Sequence, residues 1–172
     1  MVEAGFRIPW EDCRPPLLAS PPPSIRPPSS REAAEALERE VQSLLLKGAT
    51  EKVEPPITPG FYGRLFCVPK SSGGWRPVLD LSALNTFIRQ IPFRMETASS
   101  IRESMQQGDW AASIDLTDAY FHLLIHKRDR KFLRFQWQGQ TYQFRALPFG
   151  LSLAPWIFTM VEIGRASCRE RV

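Results

Sequence analysis

The chain has 172 residues, of which 43% are hydrophobic, and it carries a formal net charge of +4. This length allows one domain with a hydrophobic core, and the mild basic charge is compatible with a polyanionic partner without demonstrating one. The cysteines lack metal-ligand spacing, no apolar run is long enough to span a membrane, and the acidic N-terminus lacks a signal pattern. These features argue against a disulfide framework, a membrane partner and secretion, and they predict an intracellular protein of the cytoplasm or nucleus.

The first 30 residues are dominated by proline, which is concentrated between positions 15 and 28. Because proline fixes φ and lacks a backbone donor, we predict that residues 1–30 form an extended, disordered and poorly packed lead-in. Either a linker or a proline-rich ligand for another protein is consistent with this composition.

A helix is predicted after this lead-in, because Ser29-x-x-Glu32 forms a capping box and Gly48 suits a helix end. Apolar residues recur along it at helical spacing, and they are Ala33, Leu37, Val41, Leu44 and Leu45. The pattern predicts a helix that packs one face against a core.

Residues 64–68 and 75–81 read as two strands joined by the turn residues Ser-Ser-Gly-Gly at 71–74. Lys70 and Arg76 would flank the tip of this hairpin. Two cations beside mobile glycines are able to close over a polyphosphate, and a solvated basic turn explains the same residues. Pro77 favours an edge position for the second strand.

Residues 83–93 are predicted to form a loop, and residues 100–108 a short helix with Ile101 and Met105 facing inward. The apolar run at 110–114 then predicts a buried strand that ends at Asp115, with Asp118 three residues later. Carboxylates at a strand end are well placed to hold a divalent metal ion. A strand that stops at a solvated Asp before a turn is the alternative.

Residues 118–131 are predicted to begin as helix, and residues 132–137 and 141–146 as strands joined at 138–140. The histidines at 122 and 126 have no third ligand nearby, which favours a solvated or core-edge position over a zinc site. A basic cluster either faces nucleic acid or is simply solvated, and its members are Lys127, Arg128, Arg130, Lys131 and Arg134.

Three motifs follow one another along the chain. The first is Phe-Cys-Val-Pro-Lys (66–70) with Gly-Trp-Arg-Pro-Val-Leu-Asp-Leu-Ser-Ala-Leu-Asn (74–85), the second is Asp-Leu-Thr-Asp-Ala-Tyr-Phe (115–121), and the third is Leu-Pro-Phe-Gly-Leu-Ser-Leu-Ala-Pro (147–155). Together they resemble reverse transcriptases, and the resemblance covers residues 32–161. It implies an α+β fold, namely the fingers and the first part of the palm of a right-hand polymerase, incomplete in this chain.

The resemblance also implies roles for individual residues. Asp115 would be the catalytic metal ligand, helped by the Leu116 carbonyl, and the ion would be Mg²⁺ or alternatively Mn²⁺. Tyr120 would be the steric gate that rejects ribonucleotides. The residues implied to bind the incoming dNTP are Lys70, Arg76, Leu116, Thr117, Asp118, Ala119, Tyr120 and Phe149. The residues implied to lie near the template are Asp80, Asn85, Gly150 and Pro155.

The implied activity is that of an RNA-directed DNA polymerase, which adds dNTPs to a primer on an RNA or DNA template by two-metal phosphoryl transfer. We expect the 172-residue chain itself to be inactive, because no Asp follows Asp129 whereas the family carries two adjacent Asp residues further on. Two alternatives stay open, a non-catalytic nucleic-acid-binding remnant of a retroelement and a piece without a stable fold of its own. The sequence does not indicate an oligomeric state.

Within the family, Phe-His-Leu (121–123) and Arg-Lys-Phe-Leu-Arg-Phe (130–135) most resemble retrotransposons of the tyrosine-recombinase, or DIRS-like, group. Residues 162–172 resemble the translation of a sequencing adapter, so we exclude them from the fold argument. The predicted organisation is a lead-in over 1–30, reverse transcriptase fingers and partial palm over 31–161, and an adapter-derived tail over 162–172.

Overall fold

A computed structural model describes residues 5–22, 28, 30–94, 97, 99, 102–103, 105–110 and 117–167. The chain is a mixture of helices and antiparallel strands. Its helices are α1 (Arg31–Leu46), α2 (Ser82–Asn85) and α3 (Ala154–Ser167). Its strands are β1 (Thr50–Lys52), β2 (Arg64–Pro69), β3 (Trp75–Asp80), β4 (Arg134–Trp137) and β5 (Gln140–Phe144). Short 3₁₀ turns lie at Glu11–Cys13, Ala119–His122 and Arg130–Phe132.

The strands form two sheets, a three-stranded sheet in the order β1-β5-β4 and the two-stranded hairpin β2–β3. In the larger sheet Phe135 pairs with Tyr142, and Thr50 pairs with Phe144. Gln138 and Gly139 both have positive φ, 48° and 75°, which matches a two-residue turn that follows strand twist. Both predicted hairpins are therefore confirmed, while the three-residue strand β1, Thr-Glu-Lys, is too short and polar to show in the sequence pattern.

Helix α1 packs the predicted apolar face, with Leu37 and Val41 almost fully buried, and the chain turns at Gly48 with φ 65°. Its predicted cap is wrong, because Ser30 is the capping residue and its Oγ accepts from Ala33 N at 3.1 Å. Glu32 is then too early in the first turn for a capping box, and instead accepts from Trp75 Nε1 at 3.4 Å.

The core lies between α1, the three-stranded sheet and the segment that leads into α3. Its innermost side chains come from every part of the fold, and they include Val41, Leu84, Ile125, Leu133, Phe135 and Leu147, each 0% exposed. Leu84 belongs to α2, a single helical turn that overlaps the start of residues 83–93, which were predicted to be loop throughout. This turn anchors the loop to the core.

Residues 5–10, the N-terminal strap, pack on the core, which differs from the disordered lead-in that we predicted. Phe6 N donates to Leu124 O at 2.7 Å and His126 N donates to Phe6 O at 2.8 Å, so the strap pairs with an extended segment. Ile8 is 3% exposed, and the Trp10 ring packs against Phe132 with 4.5 Å between ring centroids and a tilt of 59°. Apolar residues at positions 6, 8 and 10 alternate as in a half-buried strand, and that pattern outweighs the neighbouring prolines.

Several predictions from the sequence fall on the middle of the chain. The strand at 111–114, Asp115, Leu116 and most of the helix at 100–108 lie outside the described residues. Trp110, predicted to be buried, is 99% exposed, and Met105, predicted to face inward, is 48% exposed.

The helix predicted to begin at residue 118 is also wrong. Asp118 is left-handed with φ 53°, and a single 3₁₀ turn follows it. Ile125 N then donates to Arg145 O at 2.7 Å, and Leu147 N donates to Leu123 O at 2.8 Å. Residues 123–125 are therefore extended and pair with the backbone of residues 145–147. No helix in the described ranges combines the length and apolar character needed to cross a membrane.

Candidate functional site

The β2–β3 hairpin is a separate two-stranded sheet, in which Pro77 lies opposite Cys67. Gly73 and Gly74 have φ of 87° and 83°, a conformation that glycine adopts without strain, and Lys70 N donates to Gly74 O at 3.0 Å across the tip. Lys70 and Arg76 are exposed beside this turn. Across the described ranges, neither side chain has a hydrogen bond or an ion-pair partner. Two uncompensated cations therefore flank the tip, as predicted.

A cleft of about 420 Å³ is lined by residues of β3 and of the turn at 149–150. Its lining combines an apolar floor with charged groups, and the lining residues are Glu40, Leu44, Leu65, Arg76, Pro77, Val78, Leu79, Phe121, Phe144, Phe149 and Gly150. A Cβ on Gly150, which has φ 90°, would lie 3.3 Å from Leu79 O. The glycine therefore allows the turn to approach β3 closely.

Four aromatic rings form a cluster at the edge of this cleft. Tyr120 lies 4.9 Å from Phe149 and 5.5 Å from Phe158 between ring centroids, and Phe121 lies 5.5 Å from Phe149. Phe149 is 55% exposed, so one side of its ring remains open to solvent. The predicted gate residue is thus held between an aromatic ring of the turn and one of α3. Phe158 was not among the residues predicted from the sequence, although it follows the third motif at helical spacing.

The side chain of Asn85 joins the end of α2 to the turn. Its Nδ2 donates to Gly150 O at 2.9 Å, and its Oδ1 accepts from Ser152 N at 2.9 Å. Asn85 is half-buried, and both ends of its amide are therefore engaged with backbone that lies more than sixty residues further along the chain.

Asp80, at the end of β3, is held by its neighbours. Its Oδ1 accepts from Ser82 N at 3.0 Å, and its Oδ2 lies 3.5 Å from Arg64 Nη2. Hydrogen bonds from the Ser82 side chain and backbone, with a smaller effect of Arg64, lower the pKa of Asp80 below its ordinary value. The carboxylate is therefore charged at neutral pH.

Within the second motif, the carboxylate of Asp118 forms an ion pair with a lysine. The carboxylate of Asp118 lies 2.9 Å from Lys47 Nζ, just after α1, and the Asp118 carbonyl accepts from Phe121 N at 2.8 Å. Thr117 is exposed and Ala119 is half-buried. Searched over the described ranges alone, the fold contains no group of three or more His, Cys, Asp or Glu side chains placed to hold a metal ion.

The basic cluster at 127–134 is split by the fold. Arg130 Nη1 lies 3.1 Å from Glu51 Oε1. Arg134 is 4% exposed and donates to the Thr58 carbonyl and to Gln143 Oε1. These two arginines are structural, because burial and internal partners leave them unavailable to a ligand. Lys127 and Arg128 are exposed.

The structure thus brings part of the predicted site together. Arg76, Phe149 and Gly150 line one cleft, Tyr120 borders it, and Asn85 contacts the turn that closes it. Lys70 lies at the hairpin tip and Pro155 is half-buried in the first turn of α3, neither of them in the lining.

The family profile described as reverse transcriptase (RNA-dependent DNA polymerase) matches residues 68–162, which is more than half of the chain and includes the hairpin tip, β3, the turn at 149–150 and the aromatic cluster. The chain belongs to the reverse transcriptase family. Its sequence is 27% identical over 140 residues to the Pro-Pol polyprotein of simian foamy virus type 1, with 81% of the chain covered. It is 25% identical over 122 residues, 67% of the chain, to the retrovirus-related Pol polyprotein from transposon 412 of Drosophila melanogaster.

Solved reverse transcriptases share the fold. The chain superposes on the foamy viral protease-reverse transcriptase in complex with dsDNA with a TM-score of 0.68, at 22% identity, over 91% of the chain and 32% of that protein. The native prototype foamy virus protease-reverse transcriptase gives a TM-score of 0.67 at 21% identity, over 91% of the chain and 20% of that protein. The predicted right-hand polymerase fold is confirmed. The chain spans only 12% of the simian foamy virus polyprotein and 10% of the transposon 412 polyprotein.

Proposed function

We propose that this chain is the fingers and part of the palm of an RNA-directed DNA polymerase, and that its cleft receives the incoming dNTP. The observation that carries this proposal is that Arg76, an exposed cation with no ion pair among the described residues, lines the same cleft as Phe149 and Gly150, beside the ring of Tyr120. A polyphosphate needs fixed positive charge, and a base or sugar needs apolar surface. The lining of this cleft supplies both the positive charge and the apolar surface.

Each residue then has a proposed task. Lys70 and Arg76 neutralise the triphosphate, with the guanidinium able to bind two oxygens at once. The backbone from Leu116 to Ala119, which includes Thr117 and Asp118, lies beneath the triphosphate. Tyr120 excludes a 2′ hydroxyl by bulk, and Phe149 packs against the nucleotide. The residues proposed to lie near the template are Asp80, Asn85, Gly150 and Pro155.

We propose Mg²⁺, with Mn²⁺ as an alternative, as the metal of the complete site. Asp115 and the Leu116 carbonyl would hold it, and both lie outside the described residues, so the fit rests on their chemistry as oxygen donors. When bound, such an ion stabilises the charge on the attacking and leaving oxygens of an in-line displacement. The remaining contribution of this chain is to bind and orient the nucleotide.

The proposed partners are a primer with an RNA or DNA template. Related foamy viral proteins have been solved in complex with dsDNA and with RNA/DNA hybrid, which supports a nucleic acid partner for this chain. The exposed Lys127 and Arg128 are available for phosphate contacts, whereas Arg130 and Arg134 are not. Nucleic-acid binding without catalysis is the second candidate, because the described carboxylates do not converge on a metal site.

The test is Arg76→Ala in a full-length protein that carries this chain, assayed by primer extension at varied dNTP concentration. A charge-assisted phosphate contact contributes roughly 1.5–3 kcal/mol, so kcat/KM for dNTP should fall about tenfold or more. Arg31→Ala is the matched control, because Arg31 has a 93% exposed side chain on α1, away from the cleft. An unchanged kcat/KM in Arg76→Ala removes this residue from the site. Extension by the 172-residue chain alone contradicts its expected inactivity.

Three further assignments are proposals. The DIRS-like subgroup rests on residues 121–123 and 130–135, and a tyrosine-recombinase reading frame beside this sequence in its genome tests it. The boundary at 30/31 follows the proline-rich composition, and the boundary at 161/162 follows the resemblance of residues 162–172 to a translated sequencing adapter. Sequencing of the transcript beyond residue 161 tests the second boundary. An intracellular location follows from the sequence pattern, and fractionation of expressing cells tests it.

A further inference from the structure

The side chain of Asn85 makes two hydrogen bonds that its implied position near a template does not explain. Its amide satisfies a backbone acceptor, Gly150 O, and a backbone donor, Ser152 N, at 2.9 Å each. The two hydrogen bonds use one of the two Nδ2 donors and one of the two Oδ1 lone pairs, and they fix both ends of the amide on the turn. The amide also spans two parts of the fold, since α2 continues from the β2–β3 hairpin and the turn leads into α3.

The turn that Asn85 holds carries Phe149, whose ring contacts both Tyr120 and Phe121. Phe149 is 55% exposed, so ring packing alone covers less than half of it. The backbone on its C-terminal side is constrained by the two hydrogen bonds from Asn85 and by the close approach of Gly150 to Leu79 O. The position of the Phe149 ring, and of the cleft wall that it forms, therefore depends on the Asn85 amide.

We propose that Asn85 is a positioning residue for nucleotide selection: it fixes the 149–152 turn so that Phe149 supports the ring of Tyr120 at the cleft. This inference rests on the proposed function of the cleft as the dNTP site. It assigns to Asn85 an effect through Gly150 and Ser152 rather than a direct template contact.

Two substitutions of Asn85 distinguish the contributions of its two hydrogen bonds. Asn85→Ala removes both hydrogen bonds. Asn85→Asp keeps an acceptor for Ser152 N but places a second carboxylate oxygen against Gly150 O, where two acceptors repel. Thr86→Ala is the matched control, because the Thr86 hydroxyl donates to Ala83 O at 2.9 Å, which is its hydrogen bond within the described part of the chain and lies in the same helical turn.

The first measurement is amide hydrogen exchange on the 172-residue chain, which requires no activity. In Asn85→Ala the Ser152 amide should exchange roughly tenfold faster, the effect expected for one lost hydrogen bond. It should stay protected in Asn85→Asp and in Thr86→Ala. Unchanged exchange at Ser152 in Asn85→Ala overturns the proposal.

The second measurement is primer extension by a full-length protein that carries this chain. Both Asn85 variants should raise the KM for dNTP several-fold and lower discrimination against rNTP, while the Kd for template–primer stays unchanged. A raised template–primer Kd with an unchanged dNTP KM overturns the proposal in favour of a direct template contact. A third outcome is that Arg76→Ala leaves dNTP use unchanged while Asn85→Ala still speeds exchange of the Ser152 amide. That result would exclude the cleft as the dNTP site and would support only the role of Asn85 in holding the 149–152 turn.

Discussion

The carboxylate of Asp129 holds the N-terminal strap to the core, and its replacement should loosen the strap. Asp129 is 2% exposed, and its Oδ2 accepts from Arg7 Nε at 2.7 Å and from Ile8 N at 3.0 Å. In Asp129→Asn the side-chain carbonyl can still accept from Ile8 N, so the loss is the charged part of the interaction with Arg7. Because the Arg7 side chain is 55% exposed, solvent screens this pair, and we expect a loss of about 1–2 kcal/mol.

Asp129→Ala should be more destabilising than Asp129→Asn. It leaves the buried Ile8 N–H without an acceptor, which adds about 1–3 kcal/mol to the loss. The assay is urea unfolding of the 172-residue chain, followed by fluorescence, with Glu35→Gln as control. The Glu35 carboxylate is 51% exposed and pairs with Arg31 along α1, so its removal should change stability by less than about 0.5 kcal/mol. Equal effects of Asp129→Asn and Glu35→Gln would refute the argument that the strap is tied through this carboxylate.

Two more predictions concern the cleft and α1. Tyr120→Val in a full-length protein should admit ribonucleotides while dNTP use partly survives; a parallel fall of rNTP and dNTP efficiency would exclude the gate role. The Trp137 indole donates to Glu38 at 2.6 Å and, with a smaller effect of Gln42, lowers the pKa of Glu38. Trp137→Phe should therefore raise this pKa toward its ordinary value, as read by NMR titration. A depressed carboxyl pKa stabilises the fold above the unfolded pKa, and this contribution is lost as pH falls through the folded pKa. The difference in stability between the unsubstituted chain and Trp137→Phe that arises from Glu38 should therefore shrink as pH falls from neutral through that range. An unshifted Glu38 titration in the variant would remove Trp137 as the cause.

Features set by neighbouring residues could be predicted from the sequence. The β2–β3 and β4–β5 hairpins follow from glycine-containing turns between apolar runs, and the buried face of α1 follows from helical spacing. The capping residue was misplaced by one position, since two adjacent serines offer the same hydroxyl and the backbone geometry decides between them.

Features that depend on distant partners could not be predicted from the sequence. Nothing local to Asn85 indicates that its amide bonds to residues 150 and 152, and nothing local to Arg134 indicates that it is buried against Thr58. The helix expected after Asp118 fails for the same reason, because Leu124 and His126 bond to the Phe6 backbone and Ile125 N donates to Arg145 O, in place of helical hydrogen bonds. The cleft was therefore predicted as a set of residues, while the contacts that shape it were not.

The attachment of the N-terminal strap has a consequence for biosynthesis. Ile8 bonds to a residue 121 positions further along the chain, so the strap leaves the ribosome long before its docking site exists. At about 5–20 residues per second, synthesis of the intervening segment takes roughly 6–24 s. During that interval Phe6, Ile8 and Trp10 are exposed on a nascent chain, where a chaperone that recognises short apolar segments can bind them. The prolines at 21–23 would keep this apolar segment apart from the helix that follows, and so delay non-native contacts until residue 129 has emerged.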